Sequence, residues 1–330
     1  MSHVVACMDV WTPAVREVVQ HAAPPELDLR FANSYDRTEQ MALVEHTAFM
    51  LPGFAAVDEA MLVHAKKLCM IQKWGIGYDS IDVAAARRMG IPLSIAAGSN
   101  ASPVAELAIA LMLAVYRRLP YVNRVVREGG WPTSAMRETC FQITGKTVGL
   151  VGFGNIGRML ARRLRGFDAE LIYFDARRAD AQTEQALGMR YVGLPELLAQ
   201  SDIVSLHAPL NTQTAKMIDA TSIAAMKDGA VLINTARGGL VDEKALYDAL
   251  VSGKLRGAGL DAFEAEPPAI DNPLLQLLQV VVTPHAGGGV FDNVENVARH
   301  TLGNIMRFLR GQTLAPADVV IPVAALPGLS

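Results

Sequence analysis

The stretch Val148-Gly149-Leu150-Val151-Gly152-Phe153-Gly154-Asn155-Ile156-Gly157 decides the fold: an apolar run ends in G-x-G-x-x-G and opens into sequence of helical character. A continuous apolar run such as Thr147 to Val151 suits a strand buried on both faces of a parallel sheet. A helix opening near Asn155, with Ile156 to Gly166 along the strand, would aim its free N–H groups at a pyrophosphate. The three glycines serve separate ends. Gly152 makes the tight turn, Gly154 lets the backbone approach the phosphates, and Gly157 clears space between helix and strand. A second strand, Glu170 to Asp175, ends about 20 residues later on a carboxylate, where a dinucleotide site needs an acid. That acid would accept hydrogen bonds from ribose hydroxyls and repel a 2′-phosphate, which favours NAD over NADP. Arg177 and Arg178 follow closely, and either would reach a 2′-phosphate if the loop folded back, so NADP stays the second choice.

The rest of the chain sets the frame. Its 330 residues allow two domains, and 51% hydrophobic content suits a packed α/β protein. With 30 basic and 33 acidic residues the net charge is −3, and the basic residues are dispersed, so no nucleic-acid surface or polybasic membrane anchor is expected. The expected partner is a small molecule. Cys7, Cys69 and Cys140 are odd in number and widely spaced, and read as reduced core thiols of a cytoplasmic protein. No signal peptide and no membrane span are expected.

Up to about Gly98, strand-like segments alternate with amphipathic ones: Val4 to Met8, Leu27 to Ala32, Thr47 to Leu51, Leu68 to Lys73 and Pro92 to Ala96. A helix with Ser102 as N-cap and Pro103 at N1 then runs through Leu107, Ile109, Leu111, Met112 and Val115. It is apolar on nearly all faces and is expected to lie between domains and against a second subunit, which makes a homodimer the expected assembly. After Gly145 six strands are expected: Thr147 to Val151, Glu170 to Asp175, Asp202 to His207, Ala230 to Thr235, Gly257 to Phe263 and Val280 to Thr283. They suit a doubly wound sheet. A last helix, about Phe291 to Arg310, leaves that domain, and Ala317 to Pro322 packs back on the first. The expected domains are therefore residues 1–98 with 289–330, and residues 99–288, with a hinge at Gly287-Gly288-Gly289.

Three segments place polar residues just after predicted strands, where doubly wound sheets build their sites. In Thr235-Ala236-Arg237-Gly238-Gly239, a guanidinium able to hold a carboxylate through two hydrogen bonds leaves a strand end. In Asp261-Ala262-Phe263-Glu264-Ala265-Glu266-Pro267, three carboxylates follow the next strand. In Thr283-Pro284-His285, an imidazole offers proton exchange near neutral pH, and a neighbouring carboxylate would orient it. Hydride transfer between a carbonyl carbon and a nicotinamide needs a proton at the oxygen and a cation to bind the substrate. Arg237, Glu266 and His285 would meet those needs. His207 in His207-Ala208-Pro209 reads as cofactor wall rather than catalyst, and the scattered His3, His21, His46, His64 and His300 give no metal-ligand spacing, so no metal is expected.

In order along the chain, Gly75-Ile76-Gly77-Tyr78-Asp79-Ser80-Ile81-Asp82, Val104-Ala105-Glu106, the glycine loop, Arg237-Gly238-Gly239, Asp261 with Glu266-Pro267, and Pro284-His285 resemble the D-isomer-specific 2-hydroxyacid dehydrogenases, which include phosphoglycerate, glycerate, hydroxypyruvate and D-lactate dehydrogenases. The resemblance implies an α/β chain with a Rossmann cofactor domain, a doubly wound parallel sheet, and a smaller, discontinuous, flavodoxin-like α/β substrate domain. It implies that Arg237 binds the 2-oxo acid, that His285 is the acid/base and that Glu266 pairs with it. It puts the substrate carboxylate on the amides of Gly75, Ile76 and Gly77. The cofactor is placed along Val104, Gly152, Gly154, Asn155, Ile156, Gly157, Asp175, His207, Ala208, Pro209, Thr235, Ala236, Asp261 and Gly288, with Thr235 and Asp261 near the nicotinamide.

Within the family, Gly98-Ser99-Asn100 and Ile76-Gly77 lean towards the phosphoglycerate dehydrogenases. Lys73 and Arg137 are the candidate cations for a phosphate, while Trp74 suits a less charged substrate. Glyoxylate or hydroxypyruvate reduction stays open beside it. Residue 330 leaves no room for a serine-sensing extension, so no such feedback is expected. Ile76 stands where phosphite dehydrogenases have lysine, and Glu266 where formate dehydrogenases have glutamine. An NAD-sensing, non-catalytic protein of the corepressor type is the alternative from another class.

Overall fold

The computed structural model describes residues 2–323. The chain divides into two compact units, residues 1–100 with 289–330 and residues 101–288. Residue 1 and residues 324–330 of the expected first domain lie outside the described residues.

The first unit is built on β1 (His3–Cys7), β2 (Leu27–Phe31), β3 (Phe49–Leu51), β4 (Met70–Gln72) and β5 (Leu93–Ser94), joined by a return strand, Val319–Ile321. The order β2-β1-β3-β4-β5 ends on the return strand, which runs antiparallel to β5 while all other pairs are parallel. All three residues of β3 and of β4 are buried, as a strand covered by helices on both faces requires. Val19, Ala298, Leu302 and Ile305 close one face, and Val44, Met61, Leu62 and Ala85 the other. This is the flavodoxin-like order.

The second unit carries β6 (Thr147–Val151), β7 (Glu170–Phe174), β8 (Met189–Tyr191), β9 (Ile203–Leu206), β10 (Ala230–Asn234), β11 (Leu255–Leu260) and β12 (Val280–Val282). They form a wholly parallel sheet in the order β8-β7-β6-β9-β10-β11-β12. The chain thus winds outward from β6 in both directions, and the reversal between β6 and β9 opens a crevice at the carboxyl ends.

Three expectations need correction. The sheet has a seventh strand, β8, a three-residue edge strand with only Met189 buried, too short to show a period. The long apolar helix starts at Ala101, so Ser102 is inside its first turn and is no cap; its hydroxyl accepts from Arg163 and donates to Glu106. That helix, Ala101–Tyr116, lies against β10, β11 and the helix Asn155–Leu164 of its own unit, and Ala105, Ala108, Leu111 and Met112 are core there. It is a layer of the nucleotide-type fold, with Leu107, Ile109 and Leu113 only partly buried. Lastly, Cys7 alone of the three cysteines is a core thiol, pushed far above the usual thiol range by burial; Cys69 is exposed and Cys140 half-buried.

Candidate active site

The carboxyl ends of β6, β7, β9, β10, β11 and β12 carry the expected catalytic and cofactor residues of the second unit except Val104, which comes from the apolar helix. At β6, Gly152 turns with φ +97°, and a Cβ there would sit 2.6 Å from the amide nitrogen of Ala208. The turn is therefore pressed against His207 and Ala208 as only glycine allows. A Cβ on Gly157 would overlap the carbonyl oxygen of Gly152, whereas one on Gly154 would meet nothing within 4 Å. The helix Asn155–Leu164 follows with Gly154 at its N-cap and no side-chain cap, so its first-turn N–H groups stay available. Asn155 and Ile156 form that first turn.

Asp175, just past β7, accepts the N–H of Phe153 at 2.7 Å on one oxygen and that of Arg177 at 2.9 Å on the other. It is thereby tied to the glycine loop. At β9 the His207 ring meets the Ser205 hydroxyl through Nε2 at 2.9 Å, while Nδ1 is shut off from solvent with no partner among the described residues. Burial brings that imidazole down to about 4. It stays neutral. At β10, Thr235 is 7% exposed and its hydroxyl oxygen also lacks a partner among the described residues.

These features fit a dinucleotide. Open space at Gly154 faces an uncapped helix terminus, a carboxylate stands where a ribose would come, and two buried polar atoms await partners on neighbouring strands. Pro209 is an exposed residue beside them.

Beyond β10, Asn234 fixes the turn that carries Arg237: its amide donates to the Arg237 carbonyl at 2.9 Å and its oxygen accepts the Ala236 N–H at 3.0 Å. Arg237 itself donates to the Ala236 carbonyl at 2.7 Å. Gly238 lies so close to Phe263 that any Cβ would overlap its carbonyl group. The β10 and β11 loops are thus packed backbone to backbone.

The three carboxylates after β11 separate. Asp261, 2% exposed, accepts from the Thr283 hydroxyl at 2.6 Å and from the N–H groups of Ala286 at 2.8 Å and Gly287 at 2.9 Å. It holds the turn after β12. Glu264 pairs with Lys216 at 3.2 Å. Glu266 takes the Phe263 N–H at 3.0 Å on one oxygen and meets Nδ1 of His285 at 2.7 Å with the other. Burial pushes the Glu266 carboxyl up, but the hydrogen bonds from His285 and Phe263 and the charges of His285 and Arg237 outweigh it and hold it below the usual range. The bond between Glu266 and Pro267 is cis, and His285 has φ +52°. Val104 closes the far side, its methyl 3.3 Å from where a Gly287 side chain would begin, and Gly288 follows.

Asn234, Ser205 and Thr283 are the members of this cluster that sequence reading gave no role. Their signal was small: a polar residue within or just after an apolar strand. Gly75, Ile76 and Gly77 lie after β4 in the first unit, where Gly75 has φ +101° and its carbonyl accepts the Ala96 N–H at 2.9 Å. Lys73 beside them is 5% exposed, and Trp74 stacks at a tilt on Trp11 with centroids 4.6 Å apart. Arg137 is exposed on the helix Thr133–Thr139.

Comparison with known proteins points to one family. Residues 109–287 match the model of the D-isomer specific 2-hydroxyacid dehydrogenase NAD binding domain. A glyoxylate reductase of Korarchaeum cryptofilum is 41% identical over 259 residues, which is 78% of this chain and 77% of the reductase. A D-3-phosphoglycerate dehydrogenase of Mycobacterium bovis is 38% identical over 293 residues, 88% of this chain but 55% of that protein. Among solved structures, the holo form of D-mandelate dehydrogenase from Rhodotorula graminis superposes with a TM-score of 0.85 at 28% identity, covering 98% of this chain and 99% of that one. These relatives are enzymes, and the NAD-sensing, non-catalytic reading finds no support among them. With the nucleotide fit above, they show that the chain belongs to the D-isomer-specific 2-hydroxyacid dehydrogenases and is an NAD-dependent oxidoreductase of 2-hydroxy acids.

Proposed function

We propose that the enzyme reduces a small, unphosphorylated 2-oxo acid of the glyoxylate and hydroxypyruvate kind to the D-2-hydroxy acid, with His285 as acid/base. The observation that carries this reading is the 2.7 Å contact between His285 Nδ1 and Glu266 Oε2. A carboxylate on Nδ1 fixes the ring and its tautomer, and leaves Nε2 to exchange the proton with the substrate oxygen. Glu266 is charged under working conditions, because it is held below the usual carboxyl range, and so offsets the imidazolium. Arg237 binds the 2-oxo acid and polarises its carbonyl. The nicotinamide supplies the hydride when bound. In reduction His285 then gives its proton to the oxygen, and in oxidation it takes that proton back.

The amides of Gly75, Ile76 and Gly77 are assigned to the substrate carboxylate. Gly152, Gly154, Asn155, Ile156 and Gly157 are assigned to the pyrophosphate and Asp175 to the adenosine ribose. His207, Ala208, Pro209, Thr235, Ala236, Asp261, Gly288 and Val104 complete the cofactor wall. An unphosphorylated substrate is favoured because Lys73, one of the two candidate phosphate cations, is buried. Phosphoglycerate chemistry keeps the support of the 38% identity. Oxidation of NADH with glyoxylate, hydroxypyruvate, pyruvate, a branched 2-oxo acid and 3-phosphohydroxypyruvate separates the two. We expect the highest kcat/KM on glyoxylate or hydroxypyruvate; preference for the phosphorylated acid would overturn the substrate assignment.

A homodimer also belongs to this reading. The helix Leu119–Arg127 has no buried residue, and Leu119, Val126 and the nearby Trp131 are exposed by 51%, 42% and 82%. An apolar surface of that kind is suited to a second copy. Cytoplasmic residence is supported by the three free cysteines. No helix among the described residues is long and apolar enough to cross a membrane.

A further inference from the structure

The two arginines behind Asp175 have different surroundings. Arg178 gives Glu184 two parallel hydrogen bonds of 2.9 Å, one from Nε and one from Nη2. Its guanidinium also lies 5.4 Å from the centroid of the Tyr191 ring. Glu184 is the better buried partner, with 12% side-chain exposure against 62% for Arg178. From beneath, the Tyr173 hydroxyl donates to Glu184 at 2.7 Å and accepts the Ala179 N–H at 2.9 Å. Tyr173 belongs to β7 and is fully buried. The carboxylate is therefore anchored to the sheet. An exposed ion pair is worth little by itself, but a forked pair on a fixed acceptor, capped by an aromatic ring, has one geometry. These hydrogen bonds hold the Glu184 carboxyl at about 2, so the pair is charged under all working conditions. Arg177 gives Asp175 its backbone N–H, and its side chain has no hydrogen bond or ion pair among the described residues.

We propose that Glu184 is a cofactor-specificity residue that acts through Arg178: by holding this guanidinium against Tyr191, it withholds from the adenosine ribose a cation that would otherwise bind the 2′-phosphate of NADP. Arg178 stands three residues beyond Asp175, in the turn that leaves β7. An arginine there is well placed to neutralise what Asp175 repels. Asp175 rejects the phosphate, and Glu184 removes one means of rescue. The proposal rests on the assignment of Asp175 to the adenosine ribose.

Calorimetric titration with adenosine 2′,5′-bisphosphate and with 5′-AMP tests it without turnover. The quantity read is the ratio of the two dissociation constants. Glu184→Gln is expected to shift that ratio about tenfold towards the bisphosphate, the worth of one charged hydrogen bond. Glu184→Ala, which leaves no amide to retain Arg178, is expected to shift it at least as far; circular dichroism and the melting temperature establish that each variant is folded. Arg178→Ala alone is expected to leave the ratio unchanged, and in the Glu184→Gln background to remove the gain. Arg177→Ala in that background is expected to leave the gain in place. The proposal is overturned if neither Glu184 variant shifts the ratio, or if the gain survives Arg178→Ala. Asp175→Ala separates the two layers: a shift there with none at Glu184 sinks the proposal alone, and no shift at Asp175 sinks the ribose assignment together with it.

Discussion

His285 and Glu266 meet at 2.7 Å from loops that follow different strands, β12 and β11. Neither residue is placed by its own neighbours alone. Glu266 is tied back by the Phe263 N–H, and the His285 turn is tied down by Asp261 through Ala286 and Gly287. The pair depends on two loops held in register, one of them packed on Gly238 of the β10 loop. Its geometry therefore reports on the whole carboxyl edge of the sheet.

Glu266→Gln keeps the size of the side chain and removes its charge. The account expects kcat to fall by roughly 10- to 100-fold with NADH affinity nearly kept. Steady-state kinetics with a parallel NADH titration measure both; an unchanged kcat would remove Glu266 from the mechanism.

Asp175→Ala is expected to weaken NAD and to raise the kcat/KM ratio of NADPH to NADH by about tenfold. Should the ratio stay where it is, cofactor choice rests elsewhere, with Arg177 and Arg178 the next residues to change.

Asp261→Ala takes the acceptor from two N–H groups and a hydroxyl in a buried turn. A loss of about 3 kcal/mol in unfolding free energy is expected from denaturant titration, accompanied by a lower kcat although His285 is intact. Full stability would mean that the turn holds itself.

His207 gives a pH signature. Its folded value is lowered from 6.5 to about 4 by burial. Between those values the unfolded chain binds a proton that the folded chain refuses, so stability falls as pH drops through this window. The contribution is complete above 6.5 and gone below about 4. Comparing His207→Gln with the wild type by calorimetry from pH 4 to 8 isolates it: the stability difference should slope inside the window and be flat above. A flat difference throughout would mean that His207 takes up its proton as readily in the folded chain as in the unfolded one.

Much of this site could be read from the chain. Thr147 to Val151 showed as a strand because Val148 to Val151 are buried without a break, and the glycines after it showed because a turn and a close approach leave no other residue type. Arg237, Glu266 and His285 were legible as polar residues after apolar runs. β8 was not, since three residues at an edge with one buried side chain carry no period. Ser102 misled because Ser-Pro is a local cap signal, whereas the helix starts at Ala101 and the serine hydroxyl is engaged by Arg163 and Glu106 instead of by a backbone N–H. The apolar helix was legible as buried, but hydrophobicity is silent on what buries it, within its own unit β10 and β11. The separate duties of Asp261, Glu264 and Glu266 needed coordinates, because three carboxylates in six residues look alike until their partners are known.

The central claim is that His285 moves the proton. The most direct measurement is kcat for NADH oxidation by His285→Ala, using the 2-oxo acid that the wild type turns over best, beside an NADH titration of the same variant. The account predicts a fall of at least about 100-fold in kcat with the NADH dissociation constant nearly unchanged. A kcat at the wild-type level would contradict it.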